Sequence, residues 1–412
     1  MRNLLLIHLE SLNLMNYRMN GNFFPTLHML EKKSLSFNKY FSTATSTLMV
    51  IGDLLYGGLE QYECCESLDY IPEKYVYQSS LFDDLKHCGY ETNIYIYPNG
   101  GDRESAESRH IAGFENKMIL ITEYAEYLDA LEASMCEDKP FALMACNYIS
   151  NLALNHYTQN SLHISGIRRW DKGYQFMDQC VQDIWALLEK KKLLQNTTVI
   201  FYGDHGDEYW QHDFRGGLTH AVEPYARLTW TPMWIYDSRL QPGETSKLTS
   251  TIDVRWIANY LLDYGEEIVS IDKCCDRRYA FSRSAYAAQP VREATFNKAY
   301  SLTDGKYFML VSAKGLEFYD IEMDPECQNN LLEFFILENE ELKYNFILDS
   351  GLSFHYKDFM NEKTIRELRQ KFYFYQARLR QETEKLYMAS GREKNVCEMN
   401  FGKICEKRLH RK

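Results

Sequence analysis

The amino-acid sequence predicts an α/β fold with a mostly parallel central sheet, followed by a small antiparallel region and a helical extension. Up to about Asp272, short apolar runs alternate with segments of helical periodicity. Several runs are apolar throughout, as is typical of parallel strands that are buried on both faces. After Asp272 the strands become short and turn residues separate them, which favours antiparallel pairing. Ligands of parallel sheets bind beyond the carboxyl ends of the strands, so we expect the chemistry there.

Strands and helices of the first region follow one another in βαβ order. The predicted strands are Asn3–Leu9, Glu91–Tyr97, Phe141–Tyr148, Thr197–Tyr202 and Pro232–Tyr236. The predicted helices are Pro25–Lys33, Leu48–Tyr56, Ser80–Cys88, Glu123–Met135 and Ile167–Leu194. Apolar residues recur at the helical period along one face of the last helix, between Trp170 and Leu188. This alternation predicts helices packed on the faces of one sheet.

The second region reads as a small antiparallel sheet and a long helix. Its predicted strands are Tyr279–Tyr286, Ala294–Ser301, Lys306–Ser312 and Leu316–Tyr319. A hairpin turn at 303–306 contains Asp304 and Gly305, and helical segments are expected from Asn329 onward, including Lys363–Tyr387. The tail from Ala389 holds seven basic and three acidic residues, a net charge of 7 − 3 = +4. We predict a catalytic domain over 1–271, an antiparallel subdomain over 272–335 and a helical extension with a basic tail over 336–412.

Composition excludes several classes of protein. The 412 residues carry 46 basic and 58 acidic side chains, and the net charge of 46 − 58 = −12 argues against a nucleic-acid footprint. No apolar run reaches the roughly 20 residues that span a bilayer, although peripheral membrane contact stays open. The first residues resemble a strand rather than a signal peptide. The 11 scattered cysteines are typical of reduced thiols, so we expect a cytoplasmic protein.

Carboxylates and imidazoles follow two of the predicted strands. Glu10 comes directly after Leu9, where a buried carboxylate is costly unless it is paired or bound to a metal. Taken alone, Glu10 is equally an acid near a helix N-terminus. Asp204 and His205 leave another strand together within the segment FYGDHGD. An aspartate beside a histidine is a usual ligand pair for Zn²⁺ or Mn²⁺, so this strand end predicts a metal site.

Hydroxyl groups and two further histidines complete the set of candidates. Residues 42–47 carry several hydroxyls just before a predicted helix, where a hydroxyl normally acts as a cap. The same position favours anions, and a hydroxyl activated by a metal there is a nucleophile. His212 and His220 follow the Asp-His pair. Each alone is more often a surface histidine, but their place predicts substrate binding or acid catalysis.

Five segments of the chain, in the order in which they occur, resemble the alkaline phosphatase/sulfatase superfamily. The matching stretches are NLLLIHLES, TSTLMVIGDLLYG, the helix and strand ending in VIFYGDHGDE, TSTIDVRWIANYLL, and DGKYFMLVSAKGLEFYDIEMDPECQNNLL. Asp-His-Gly alone is a weak signal, whereas five matches in one order are specific. The resemblance implies a three-layer sandwich around a mostly parallel sheet and a metal-dependent enzyme.

The candidate site residues resemble those of one branch of that superfamily. Usual sulfatases form formylglycine in a Cys/Ser-x-Pro-x-Arg motif, and residues 47–51 contain no Cys, Pro or Arg. Glu10 with a threonine nucleophile resembles the phosphoethanolamine transferases and lipoteichoic acid synthases. That likeness implies attack by Thr47, with Thr45 as the alternative, and a phospho-threonine intermediate. It also implies one divalent ion, Mn²⁺ or Zn²⁺ in preference to Mg²⁺ or Ca²⁺, with these ligands: Glu10, Thr47, Asp204 and His205.

The resemblance also implies substrate contacts from an Asn-His step after the central strand, for which Asn151 and, as the histidine, His156 are the candidates. His212 or His220 would bind phosphoryl oxygens or protonate the leaving group. The expected function is phosphoryl-group transfer, of the phosphoethanolamine or glycerophosphate type, to a cell-envelope or capsule glycan precursor. The substrate is thus a small-molecule or glycan phosphate ester. Two alternatives stay open: a hydrolase of phosphate or sulfate esters, and a non-catalytic binding protein that retains the fold.

Overall fold

The computed structural model describes residues 1–59, 79–97, 117–136, 138–147, 166–209, 212, 218–220, 223–263, 270–271, 274–284, 299–344, 361–389 and 399–405. Strands β1 to β16 are Asn3–Leu9, Leu35–Phe41, Glu91–Tyr97, Lys117–Leu120, Phe141–Asn147, Thr197–Gly203, Glu208–Tyr209, Leu218–Thr219, Met233–Tyr236, Gly243–Ser250, Ala280–Arg283, Tyr300–Thr303, Tyr307–Ser312, Gly315–Asp320, Phe335–Glu338 and Glu341–Tyr344. Helices α1 to α9 are Leu14–Met19, Pro25–Glu31, Thr47–Tyr56, Leu81–His87, Tyr124–Ser134, Gly166–Lys190, Ala226–Thr229, Asp253–Asp263 and Glu362–Ala389. None of the helices in these ranges is both long and apolar enough to cross a membrane.

Eight strands form the central sheet in the order β10-β2-β9-β6-β1-β5-β3-β4. All run in one direction except β9, which pairs antiparallel with both β2 and β6. The sequence predicted five of these strands, and β1 and β3 have the predicted bounds. It missed β2, β4 and β10. The sequences of β2 and β10, LSFNKYF and GETSKLTS, mix polar and apolar residues. Near the edge of a sheet one face is less buried, so the continuous apolar signal disappears.

Helices cover both faces of this sheet and create two cores. On one face, Leu4 and Leu6 of β1 pack with residues of α3, α4 and α8, such as Leu54. On the other, Leu5 and Ile7 pack with residues of α2, α5 and α6, such as Met177. Alternate residues of β1 therefore enter opposite cores. The result is the predicted three-layer sandwich.

A second sheet, β11-β12-β13-β14, is antiparallel throughout, as predicted. Helix α9 packs on it through Leu368, Phe372 and Leu379, so the sheet and the long helix share one core. The helix predicted from Asn329 onward is wrong for 335–344. There the chain forms a hairpin of β15 and β16 after a short 3₁₀ turn. Asn339 and Glu340 both have positive φ, the geometry of a two-residue hairpin turn, which a helical pattern does not reveal.

Candidate active site

Two neighbouring strands deliver the first acidic groups to one place. Strands β1 and β6 are parallel and in register, with Leu9 opposite Gly203, so Glu10 and Asp204 leave the same edge of the sheet. A Cβ atom on Gly203 would lie 2.5 Å from the carbonyl oxygen of Leu12, so only glycine permits this close approach. Both carboxylates are buried, and Asp204 is fully so.

The Asp204 carboxylate is fixed by the backbone at one oxygen and faces imidazoles at the other. Its Oδ1 accepts hydrogen bonds from the N–H groups of Ser11, at 2.9 Å, and His205, at 2.7 Å. Its Oδ2 lies 3.0 Å from His8 Nε2 and 3.2 Å from His205 Nε2. Burial alone would raise the pKa of Asp204. The electrostatic influence of the His205 and His8 imidazoles and the hydrogen bonds to the carboxylate outweigh burial, so the pKa is well below its usual range.

Local hydrogen bonds decide which nitrogen of His205 carries the proton. Its Nδ1 lies 2.9 Å from the carbonyl oxygen of Gly206, which only accepts, so Nδ1 carries the hydrogen. Burial lowers the pKa of His205 despite the nearby Asp204 charge, which favours the neutral ring. Nε2 then presents a lone pair, and the hydroxyl of Thr47 lies 3.0 Å from it. Lone pairs of Nε2 and Asp204 Oδ2 therefore face each other at 3.2 Å.

Thr47 is the first residue of α3, and its hydroxyl is turned toward the site rather than toward its own helix. Ser46 occupies the N-cap position, where its side chain makes no capping hydrogen bond. Thr47 is buried and contacts His205, as described above. Thr45 is fully buried, and its backbone N–H donates to the carbonyl oxygen of Arg283 at 3.3 Å. The structure thus places the Thr47 hydroxyl beside the Asp-His pair.

A buried ion pair anchors the segment that leads to Thr47. Arg283 of β11 makes two contacts to Asp53 of α3, at 2.7 and 2.9 Å, and both side chains are fully buried. The hydroxyl of Thr43 donates to the same carboxylate at 2.5 Å. The backbone of Arg283 also pairs with Thr43 and Thr45. The antiparallel sheet thus holds the chain in front of α3.

His220 joins the site through the short hairpin of β7 and β8. Because Glu208 pairs with Thr219, the preceding Asp207 comes to lie beside His220. His220 Nδ1 lies 3.0 Å from Asp207 Oδ1, and its ring stacks on His205 at 4.4 Å between centroids. Burial would lower the pKa of His220, but Asp207, with Glu10 and Asp204, raises it above its usual value. The His220 side chain is 22% exposed, so it separates the buried His205 from solvent.

His212 has different neighbours. Its Nδ1 lies 2.7 Å from Glu208, its ring stacks on Tyr225 at 3.7 Å, and its Nε2 lies 3.2 Å from the carbonyl oxygen of Cys327. These contacts hold His212 between the short hairpin of β7 and β8 and the chain around Cys327, and they are typical of a packing role. The other two predicted substrate contacts, His156 and Asn151, lie outside the described residues.

Two site residues were missed by sequence reasoning. His8 stands in the apolar run of β1, two residues before Glu10, and the period of a strand places positions 8 and 10 on one face. Asp207 follows the Asp-His-Gly step directly. The strand period and the neighbouring Asp-His-Gly step could thus have indicated His8 and Asp207. Neither residue, however, belongs to a motif with a fixed spacing.

The donor atoms fit a divalent cation in their chemistry. In the ranges that the structure describes, no three His, Cys, Asp or Glu side chains form a ready-made cation cage. The donors instead meet in pairs, with Asp204 Oδ2 beside His205 Nε2 and that nitrogen beside the Thr47 hydroxyl. A lone pair facing a buried carboxylate is unfavourable without a positive charge nearby. Carboxylate, imidazole and hydroxyl donors suit Zn²⁺ or Mn²⁺.

Comparison with known proteins identifies the family. The family model of the sulfatases matches residues 2–255. A search of curated proteins finds no match. Among solved structures, the chain resembles BT1596, a 2-O GAG sulfatase, with a TM-score of 0.61 and 15% identity over 93% of this chain and 94% of that one. It also resembles the lipoteichoic acid synthase LtaP from Listeria monocytogenes, with a TM-score of 0.55 and 13% identity over 79% and 88%.

A third structural relative is BT4656, solved in complex with its substrate D-glucosamine-2-N,6-O-disulfate. The TM-score is 0.57 and the identity 12%, over 96% of this chain and 99% of that one. At such identities these structures support the fold alone, whereas the family model covers more than half of the chain. Members of the family generally use a divalent metal ion. The chain is therefore an enzyme of the sulfatase family, within the alkaline phosphatase/sulfatase superfamily.

Proposed function

We propose that this protein is a metal-dependent phosphoryl-group transferase that acts through a phospho-threonine at Thr47. The observation that supports this most directly is the Thr47 hydroxyl, buried and 3.0 Å from His205 Nε2, where usual sulfatases have formylglycine. A threonine needs no modification to attack phosphorus, and phospho-threonine can be released by a second nucleophile. The likeness to LtaP favours a phosphoethanolamine or glycerophosphate group and a cell-envelope or capsule glycan precursor as its acceptor.

Each residue has a stated task in this proposal. Thr47 Oγ gives its proton to water and forms a bond to phosphorus, and the bond from phosphorus to the leaving oxygen breaks. His220, held through Nδ1 by Asp207, binds phosphoryl oxygens or gives a proton to that leaving oxygen. Water or an acceptor hydroxyl then gives its proton to His220 and attacks phosphorus. The bond from phosphorus to Thr47 Oγ breaks, and Oγ takes a proton from water. The backbone contacts of Arg283 keep the segment before Thr47 in place throughout.

We propose Glu10, Thr47, Asp204 and His205 as the side chains that hold one divalent ion. When bound, such an ion lowers the pKa of a hydroxyl and offsets charge on phosphoryl oxygens. Mn²⁺ and Zn²⁺ are preferred because the set includes an imidazole, which suits them better than it suits Mg²⁺ or Ca²⁺. Treatment with EDTA should abolish turnover of bis-p-nitrophenyl phosphate. Separate additions of Mn²⁺, Zn²⁺, Mg²⁺ and Ca²⁺ to the metal-free protein should then show which ion restores the most turnover. Full turnover in protein shown by elemental analysis to be metal-free would contradict the proposal.

The nucleophile is tested by a matched pair of threonine variants. Thr47→Ala should lower turnover of bis-p-nitrophenyl phosphate by about 10⁴-fold or more, the scale seen when nucleophiles are removed from other hydrolases. Thr45→Ala keeps the Thr47 hydroxyl and should retain most of the activity. Intact-mass spectrometry after exposure to substrate should find a phospho-adduct on the wild type and none on Thr47→Ala. The opposite pattern would assign the nucleophile to Thr45.

A second candidate function is hydrolysis of phosphate or sulfate esters, favoured by the sulfatases among the structural relatives. Transfer and hydrolysis use the same groups and differ in the second nucleophile. Parallel assays on p-nitrophenyl phosphate, its phosphonate and phosphodiester analogues and p-nitrophenyl sulfate show which class of ester the site accepts. We expect the phosphodiester to be preferred. Turnover of the sulfate alone would favour a sulfatase, and no turnover together with no bound metal would favour a binding protein.

A further inference from the structure

His8 is a buried imidazole that the proposed mechanism does not use. It lies near the end of β1, opposite Cys146 of β5 and Tyr202 of β6, and none of its surface is exposed. Its ring contacts the ring of Tyr202 at 5.5 Å between centroids. A histidine in the middle of a parallel sheet is costly unless its polar atoms have partners. The buried position of His8 therefore indicates that its imidazole has a structural or functional role.

His8 faces Oδ2 of Asp204, whereas the backbone holds the other carboxylate oxygen, Oδ1. Two backbone N–H groups hold Asp204 Oδ1, whereas Oδ2 lies 3.0 Å from His8 Nε2. His205 Nε2 is also close to Oδ2, but it presents a lone pair because Nδ1 carries the hydrogen. Of the two imidazoles, His8 is thus the one whose N–H can interact favourably with Oδ2. The two atoms are a close polar pair at 3.0 Å, in a geometry that departs from that of an ideal hydrogen bond.

We propose that His8 is a positioning residue that orients the Asp204 carboxylate for the divalent ion. The inference rests on the proposed function, since it assigns Asp204 to that ion. A residue that contacts a metal-binding carboxylate from outside the metal site fixes the orientation of that carboxylate. Loss of such a residue typically weakens metal binding by about 10- to 100-fold. Strand pairing on both sides of β1 makes His8 a rigid support. Asp204 would turn more freely without it.

Three variants of His8 and one control test this role. His8→Leu removes the polar contact. His8→Gln places an amide N–H about where Nε2 lies, and His8→Asn places one about where Nδ1 lies, too far to reach Asp204. Tyr202→Phe changes a buried polar group beside His8 without touching Asp204. The readout is the dissociation constant for Mn²⁺, measured by isothermal titration calorimetry on metal-free protein, together with the thermal midpoint without metal.

We expect His8→Leu and His8→Asn to bind Mn²⁺ about 10- to 100-fold more weakly than the wild type. We expect His8→Gln to recover most of that loss and Tyr202→Phe to bind like the wild type. A folded His8→Leu that binds Mn²⁺ as tightly as the wild type overturns the inference. Where His8→Leu fails to fold, equal affinities of the Gln and Asn variants overturn it. A wild type that binds no Mn²⁺ yet turns over phosphodiesters overturns the metal-dependent function as well.

Discussion

Replacing Arg283 with methionine tests how the segment before Thr47 is held. Arg283 and Asp53 are both fully buried and contact each other through two N–H···O pairs, at 2.7 and 2.9 Å. The variant would leave the Asp53 charge buried, with the hydroxyl of Thr43 still donating to it. Removing one member of a buried ion pair costs about 3–5 kcal/mol because the remaining charge has lost its compensation. We expect the free energy of unfolding to fall by that amount.

Urea unfolding followed by tryptophan fluorescence measures this change. Lys343→Met is the control, since Lys343 pairs with Glu338 on the surface, where both side chains are more than half exposed, and should cause no resolvable loss. The double variant Arg283→Met with Asp53→Leu removes both charges and should be more stable than Arg283→Met alone. The reasoning fails if Arg283→Met is no more destabilising than Lys343→Met, or if the double variant gains nothing over the single one.

Two further predictions concern other parts of the fold. Burial would raise the pKa of Asp237, but hydrogen bonds from Arg239 and Thr198 lower it. The ionised Asp237 therefore stabilises the folded protein fully above the unfolded pKa of about 3.9. This stabilisation declines as the pH falls through the lower pKa of the folded state. The stability difference between wild type and Asp237→Asn should therefore shrink below about pH 4 in urea titrations, and a constant difference would contradict this. At Gly206 a Cβ atom would lie 2.3 Å from a backbone oxygen, whereas at Gly243 it meets nothing within 4 Å. Gly206→Ala should thus lower the thermal midpoint and activity far more than Gly243→Ala, and equal effects would refute the steric argument.

The middle of the fold could be predicted from sequence because central parallel strands are buried on both faces. β1 and β3 were predicted with their observed bounds for that reason. Near the edge of the sheet the signal disappears, and β10, with exposed residues in its first half, was missed. The hairpin of β15 and β16 was missed because its turn depends on two residues with positive φ. Local composition reports burial well and backbone conformation poorly.

The candidate site, like the fold, could be predicted from sequence only in part. Asp204, His205 and Thr47 were named from residue type and position after a strand or before a helix, and the structure brings them together. The anchoring of α3 could not be predicted, since Asp53 and Arg283 are 230 residues apart, one in helix α3 and the other in the antiparallel sheet. The packing of His212 against Tyr225 is likewise a product of tertiary structure. Sequence identifies reactive groups more readily than it identifies the contacts that hold them.

The contact between β11 and the segment before Thr47 also bears on how the protein is made. Arg283 lies beyond residue 255, where the match to the family model ends. A nascent chain that has emerged only to that point has the Asp-His pair and Thr47 but lacks the backbone partner of Thr43 and Thr45. We therefore expect the site to assemble only after the first strand of the antiparallel sheet has left the ribosome. A fragment limited to the matched residues would carry the reactive groups without the strand that aligns them.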